Sequence, residues 1–145
     1  FSFRIVKQFI FPELKTNSGG SPRYDAAVFS SSGDLLILFE IDGIQHFVFK
    51  SQFGSTIEKF NAMQQNDLLK ETNAVSQGVP LVRLYQQDIW ESKFNWKAAT
   101  EEFLSRAASG ILPPVVHRQK GQRLYCMGSY EEIRRGTSVC VFEAP

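Results

Sequence analysis

The sequence predicts an α/β domain, a mixed central sheet with flanking helices. Three observations carry this. Leu35 to Asp42 is an almost unbroken apolar run, the pattern of a central strand buried on both faces. Pro80 to Tyr85 is a second run of that kind. Between them, Ser55 to about Gln77 reads as a long helix, opened by a Ser55–Glu58 capping box and stopped at Gly78.

The other elements follow in order. Ser2 to Phe11 reads as a short helix with Phe3, Val6, Phe9 and Ile10 near one face, ended by Pro12. Thr16 to Pro22 is a loop of turn formers. Arg23 to Ser30 alternates as a strand, with Tyr24, Ala26 and Val28 on one face and Asp25, Ala27 and Phe29 on the other. Ser31-Ser32-Gly33-Asp34 turns it into a hairpin with the Leu35 run. The third core strand then arrives after a helical crossover. Asp88 to Ser92 reads as a helical turn. Asn95 to Ser109 is a helix with Trp96, Ala99, Phe103 and Ala107 on one stripe, ended by Gly110. Beyond Ile111 the pattern is less regular. Val115-Val116, Arg123 to Cys126 and Ser138 to Phe142 read as short strands, and Tyr130 to Arg135 as a helical turn. No linker divides the chain, so residues 1–145 read as one domain, with a core over about 1–110 and an extension over 111–145.

Composition narrows the class. With 43% hydrophobic and 21% charged residues, the 145-residue chain is an ordinary globular sequence. The 13 Phe residues read as core. A net charge of +1 sets no whole-molecule field, so a nucleic-acid partner requires a local basic patch. Cys126 and Cys140 form neither a disulfide framework nor a zinc spacing, and read as free thiols in a reducing compartment. No apolar run approaches membrane-span length and no signal-peptide pattern opens the chain, so the expected location is intracellular, in cytoplasm or nucleus. A start at Phe1 points to a processed chain or a piece of a longer protein.

Three acids sit where apolar residues are expected. Asp25 lies within an alternating strand, and Glu40 and Asp42 share a face at the end of the most apolar one. Burying such carboxylates together is costly, and a divalent cation relieves the cost. Hard oxygen ligands suit Mg²⁺ or Mn²⁺, with Asp25, Glu40 and Asp42 as candidate ligands. His46, four residues past Asp42, is a candidate general acid or base. On the long helix, Phe60, Met63, Asp67, Lys70 and Ala74 share a face, so Asp67 and Lys70 interrupt an apolar stripe. Lys70 is placed to meet a phosphate, and Asp67 to hold His46 or a metal-bound water, with Asn73 and Gln45 as supporting residues.

These residues resemble the PD-(D/E)XK, or restriction-endonuclease-like, superfamily. Arg23-Tyr24-Asp25 stands for its first acidic motif, and Glu40-Ile41-Asp42 for its second. The tract Phe39 to Phe47, then Asp67-Leu68-Leu69-Lys70 with Asn73, then Val82-Arg83-Leu84, is similar to the branch that includes very-short-patch repair and related homing endonucleases. The resemblance covers about residues 1–90. It implies a three-layer restriction-endonuclease-like sandwich and a Mg²⁺-dependent endonuclease cutting DNA. It also implies a catalytic set of Glu13, Asp25, His46 and Asp67. Asp42 stands where the superfamily carries Lys, so His46, Gln45 or Lys70 must replace it. Arg118, Lys120 and Arg123, with Arg134-Arg135, are the expected phosphate-backbone contacts. Two alternatives stay open: a non-catalytic nucleic-acid-binding or interaction module that keeps the fold, and an RNA-cutting enzyme. The oligomeric state, a dimer included, is not encoded in any visible pattern.

Overall fold

A computed structural model describes residues 2–46, 56–91, 95–119 and 139–142. Its strands are β1 (Phe3–Phe9), β2 (Tyr24–Ser30), β3 (Leu35–Asp42), β4 (Leu81–Tyr85), β5 (Val116–Gln119) and β6 (Val139–Phe142). They form one mixed sheet in chain order. β1 pairs antiparallel with β2 and β2 with β3, and β3 to β6 run parallel. The helices are α1 (Ile57–Ser76), α2 (Gln86–Glu91) and α3 (Trp96–Ala108), with a 3-10 turn at Ile44–His46. The expected hairpin and crossover are therefore present, and the fold is of the α/β class.

The sheet is covered on both faces. On one, Phe11, Tyr24, Ala27, Leu38, Leu81 and Val116 pack with Ala74 of α1. On the other, Val28, Ile37, Phe39, Val82 and Leu84 pack with Phe103 and Ala107 of α3. Asn95 caps α3 by accepting from the Ala98 amide, and Gly110 leaves it at φ +71°. Gly78 does the same for α1 at φ +72°.

Four expectations are corrected. Ser2 to Phe11 is not a helix but edge strand β1. Ile5 and Val6 are β-branched, Phe3 and Phe9 are aromatic, and pairing with β2 outweighs a weak helical period. The α1 cap is Thr56, whose hydroxyl accepts from the Lys59 amide at 3.2 Å, rather than Ser55. The buried stripe of α1 runs Phe60, Gln64, Asp67, Glu71, Ala74, which moves Met63 and Lys70 to its flank. Tyr24 packs with Ala27 and Phe29, not with Ala26 and Val28. The expected elements at Arg123 to Cys126 and Tyr130 to Arg135 lie outside the described residues, as do Ser55, Lys120 and Arg134-Arg135. Among the described residues, no helix is long and apolar enough to cross a membrane.

Candidate functional site

Between α1 and the sheet, the apolar core gives way to a layer of charge. Arg83, in the middle of buried β4, is its centre and has no exposed surface. Its Nε donates to Asp42 Oδ2 at 2.8 Å and its Nη2 to Asp42 Oδ1 at 2.9 Å. This bidentate pair is the geometry a planar guanidinium favours. The same group reaches Asp67 Oδ1 at 3.2 Å and Glu71 Oε1 at 3.5 Å. Parallel pairing sets Arg118 of β5 beside Arg83, and Glu71 lies between the two guanidiniums, accepting from Arg118 Nη2.

The 3-10 turn brings His46 back over the strand end. Its Nδ1 donates to Asp67 Oδ2 at 2.7 Å and lies 3.9 Å from Asp42 Oδ1. A carboxylate only accepts, so Nδ1 carries the proton and Nε2 is the ring atom away from Asp67. Burial alone would lower the imidazole pKa, but the Asp67 hydrogen bond and charge, aided by Asp42, raise it above its ordinary value. Burial would raise the Asp67 carboxyl, yet Arg83, His46 and Lys70 hold it well below the usual range.

At the other end, Lys70 Nζ donates to Glu40 Oε1 at 3.1 Å. Burial pushes the Glu40 carboxyl up to about 7; Lys70 and Arg83 oppose this, and Asp25 and Asp42 add to it. Asp25 faces Glu40 across the β2–β3 hairpin, and its Oδ2 accepts from the Ile41 amide at 2.7 Å. Tyr24 ties this end to α1. Its hydroxyl donates to Lys70 O at 2.8 Å and accepts from Asn73 Nδ2 at 3.2 Å. Burial raises the phenol pKa to about 12.

The structure thus brings Asp25, Glu40, Asp42, His46, Asp67, Lys70 and Asn73 together. It leaves others apart. Glu13 is exposed in the turn after β1, with no hydrogen bond to the cluster. Gln45 is exposed, with its amide folded over Gly43. Arg118 is buried against Glu71 instead of presenting its charge to a ligand, because β5 is an inner strand. Lys120 and Arg123 lie outside the described residues. Asp42 gives both oxygens to Arg83, so it anchors the network instead of facing a metal.

Sequence reasoning missed Glu71 and the central part of Arg83. Each had a signal: an acid four residues past Asp67, and an Arg within a strand buried at every position. It also missed Gln64, buried on the same stripe with neither side-chain polar atom hydrogen-bonded among the described residues.

Oxygen donors remain for a cation beside the β2–β3 hairpin. Asp25 Oδ1 and Glu40 Oε2 make no hydrogen bond to the described residues, while their sister oxygens are engaged. Among the described residues, no group of three or more His, Cys, Asp or Glu is placed to hold a metal ion. Two carboxylates completed by water and phosphate oxygens suffice for Mg²⁺. Compared with known proteins, the chain matches no family model, no curated protein and no solved structure.

Proposed function

We propose that the chain is a divalent-metal-dependent endonuclease that hydrolyses phosphodiester bonds, with DNA as its substrate, on a restriction-endonuclease-like sandwich. The observation that carries this reading is the charge balance of the layer. Buried Glu40, Asp42, Asp67 and Glu71 face Lys70, Arg83, Arg118 and His46, four acidic side chains against four basic ones. Asp25 adds a negative charge that no cation among the described residues pairs with, and it does so beside Glu40, whose carboxyl burial pushes up to about 7. A hard divalent cation fits that place.

Bound between Asp25 and Glu40, such an ion would polarise a phosphate and acidify a water. The chain's own residues do the rest. Lys70, half-buried and already on Glu40, supplies from α1 the ammonium that the superfamily carries at the position of Asp42. It is better placed for this than exposed Gln45 or Asp67-bound His46. Asp67, locked by Arg83, orients the His46 ring so that Nε2 can exchange a proton with the attacking water or leaving oxygen.

The test is cleavage of plasmid DNA, and of RNA in parallel, with Mg²⁺ or Mn²⁺, comparing the parent with Asp25→Ala and Glu40→Ala. Both substitutions are expected to abolish cutting; equal activity in all three chains would end this reading. One observation favours a second reading, a nucleic-acid-binding module without catalysis. Asp42 is committed to Arg83, so the second motif offers one ligand where its pattern has an acid and a lysine. That reading expects DNA binding with no metal-dependent cutting.

A further inference from the structure

The side of α1 turned away from the sheet carries apolar residues of its own. Its sheet face is the buried stripe from Phe60 to Ala74, yet Leu68 and Leu69, both half-buried, belong to neither core cluster of the described residues. They form the floor of a cavity of about 460 Å³, a size that suits a small ligand. Gln65, Asn66 and Thr72 line it from α1, and Thr16, Asn17 and Ser18 close it from the loop between β1 and β2. The loop wall is tied together before any ligand arrives. Thr16 N donates to Gly20 O at 2.7 Å, Gly19 N to Thr16 O at 2.9 Å, and Gly20 N to Thr16 Oγ1 at 3.1 Å. Lys15 Nζ donates to Ser21 Oγ at 2.7 Å.

Lining and position together select the ligand. None of the described residues that line the cavity is charged. Asn17, Gln65 and Asn66 each bring a carboxamide, a donor beside an acceptor, and none of the three spends it on the described residues. The complementary ligand is neutral, has donors and acceptors along one edge, and has an apolar face for the two leucines. A nucleobase is built in this way: Asn and Gln read its edge in pairs, and apolar side chains take its face. The position adds a phosphate. Asn66 stands four residues before Lys70, which makes the two side chains neighbours on α1, about 5–6 Å apart at Cβ. Lys70 holds Glu40, and the loop that closes the cavity runs on into Arg23-Tyr24-Asp25. Both walls of the cavity therefore lead to the proposed phosphate site. A base can enter only when it is out of its stack, since a duplex occupies both its faces.

We infer that this cavity receives an unstacked nucleobase beside the phosphate held at Asp25, Glu40 and Lys70, so that the chain selects single-stranded or locally opened nucleic acid over intact duplex. The place of the phosphate rests on the proposed function; base binding is measured apart from it, in EDTA. In the first arm, the side-chain amides of Asn17, Gln65 and Asn66 are followed by NMR as adenosine, thymidine or glucose is added to the parent chain. The nucleosides are expected to shift them and glucose is not. Asn61, exposed on α1 outside the cavity, is expected to stay in place. In the second arm, fluorescence anisotropy gives the affinity for a labelled single-stranded DNA oligonucleotide and for its duplex. The single strand is expected to bind more tightly. Ala62→Trp fills the cavity from an exposed helix position and is expected to weaken the single strand about tenfold, the scale of one stacked base, with an unchanged urea midpoint. If Ala62→Trp does not fold, Thr72→Trp fills the cavity from another exposed position of the same helix. Shifts with glucose as large as with the nucleosides, or a filled variant that binds the single strand as the parent does, overturn the inference. A parent chain that binds as expected yet never cuts with Mg²⁺ or Mn²⁺ overturns the proposed hydrolysis and leaves the base pocket standing. A parent chain that cuts while the three amides stay unmoved overturns the pocket alone.

Discussion

Replacing Arg83 by Met keeps most of the side-chain volume and deletes the guanidinium at the centre of the layer. Arg83 has no exposed surface, and its strongest contacts are the paired bonds to Asp42 at 2.8 and 2.9 Å. Asp67 keeps His46 at 2.7 Å, and Glu71 keeps Arg118. The damage therefore concentrates on Asp42, itself fully buried. Leaving one partner of a buried pair uncompensated costs about 3–5 kcal/mol. That is a large part of the stability of a domain this size. Urea melts at pH 7 without divalent metal should show the loss as a lower midpoint with an unchanged slope. Adding Asp42→Asn to Arg83→Met removes the stranded charge and should restore roughly half of it. An Arg83→Met chain within about 1 kcal/mol of the parent, or a double variant no more stable than the single one, would refute the account.

Stability without metal should fall as pH rises from about 5 toward 8. Glu40 is raised from 4.5 to about 7, so its contribution is full below 4.5 and is lost as pH rises through 7, by about 3 kcal/mol. His46, raised from 6.5, loses its contribution in the same direction; Asp67, lowered from 3.8, loses its own as pH falls. Glu40→Gln should flatten the alkaline limb in melts across this range, and a limb of unchanged steepness would contradict the assignment. Thr56→Ala removes the α1 cap and should cost about 1 kcal/mol by urea titration. Tyr24→Phe deletes the hydroxyl between Lys70 O and Asn73, and should cost about 1 kcal/mol while weakening Mn²⁺ binding less than Glu40→Ala does.

The hairpin, the crossover helix and α3 were legible because their signals are local: turn formers at 31–34, glycine stops at 78 and 110, and an apolar stripe through Ala99, Phe103 and Ala107. Asp25, Glu40 and Lys70 stood out because each puts charge into an apolar pattern. What escaped depends on partners distant in sequence. A short stretch of Phe, Ile and Val fits a helical face or an edge strand equally well until β2 is there to pair with it. Arg118 reads as one charge in a basic run, and only the β4–β5 register reveals that it is buried beside Arg83. The face change at Asp25 was invisible for the same reason, since strand alternation assumes a regular backbone.

The sheet carries its own control for the charged layer. On the α3 side, Val28, Ile37, Phe39, Val82 and Leu84 seat a helix with apolar contacts. The same strands could have seated α1 in that way, and at its C-terminal end they do, through Ala74 and Val75 against Leu38, Leu81 and Val116. Toward the carboxyl ends of β3 and β4 the residues change to Glu40, Asp42 and Arg83, and α1 answers with Asp67, Lys70 and Glu71. A buried ionic layer is weak evidence for stability, because well-packed apolar residues of similar volume are often as good or better. The stability argument therefore does not account for it. The carboxyl ends of parallel strands are where open α/β sheets bind ligands. Among the described residues the buried charge of this face lies toward that end, while Ala74 and Val75 of the same helix rest on the apolar core, which is the arrangement the proposed site requires.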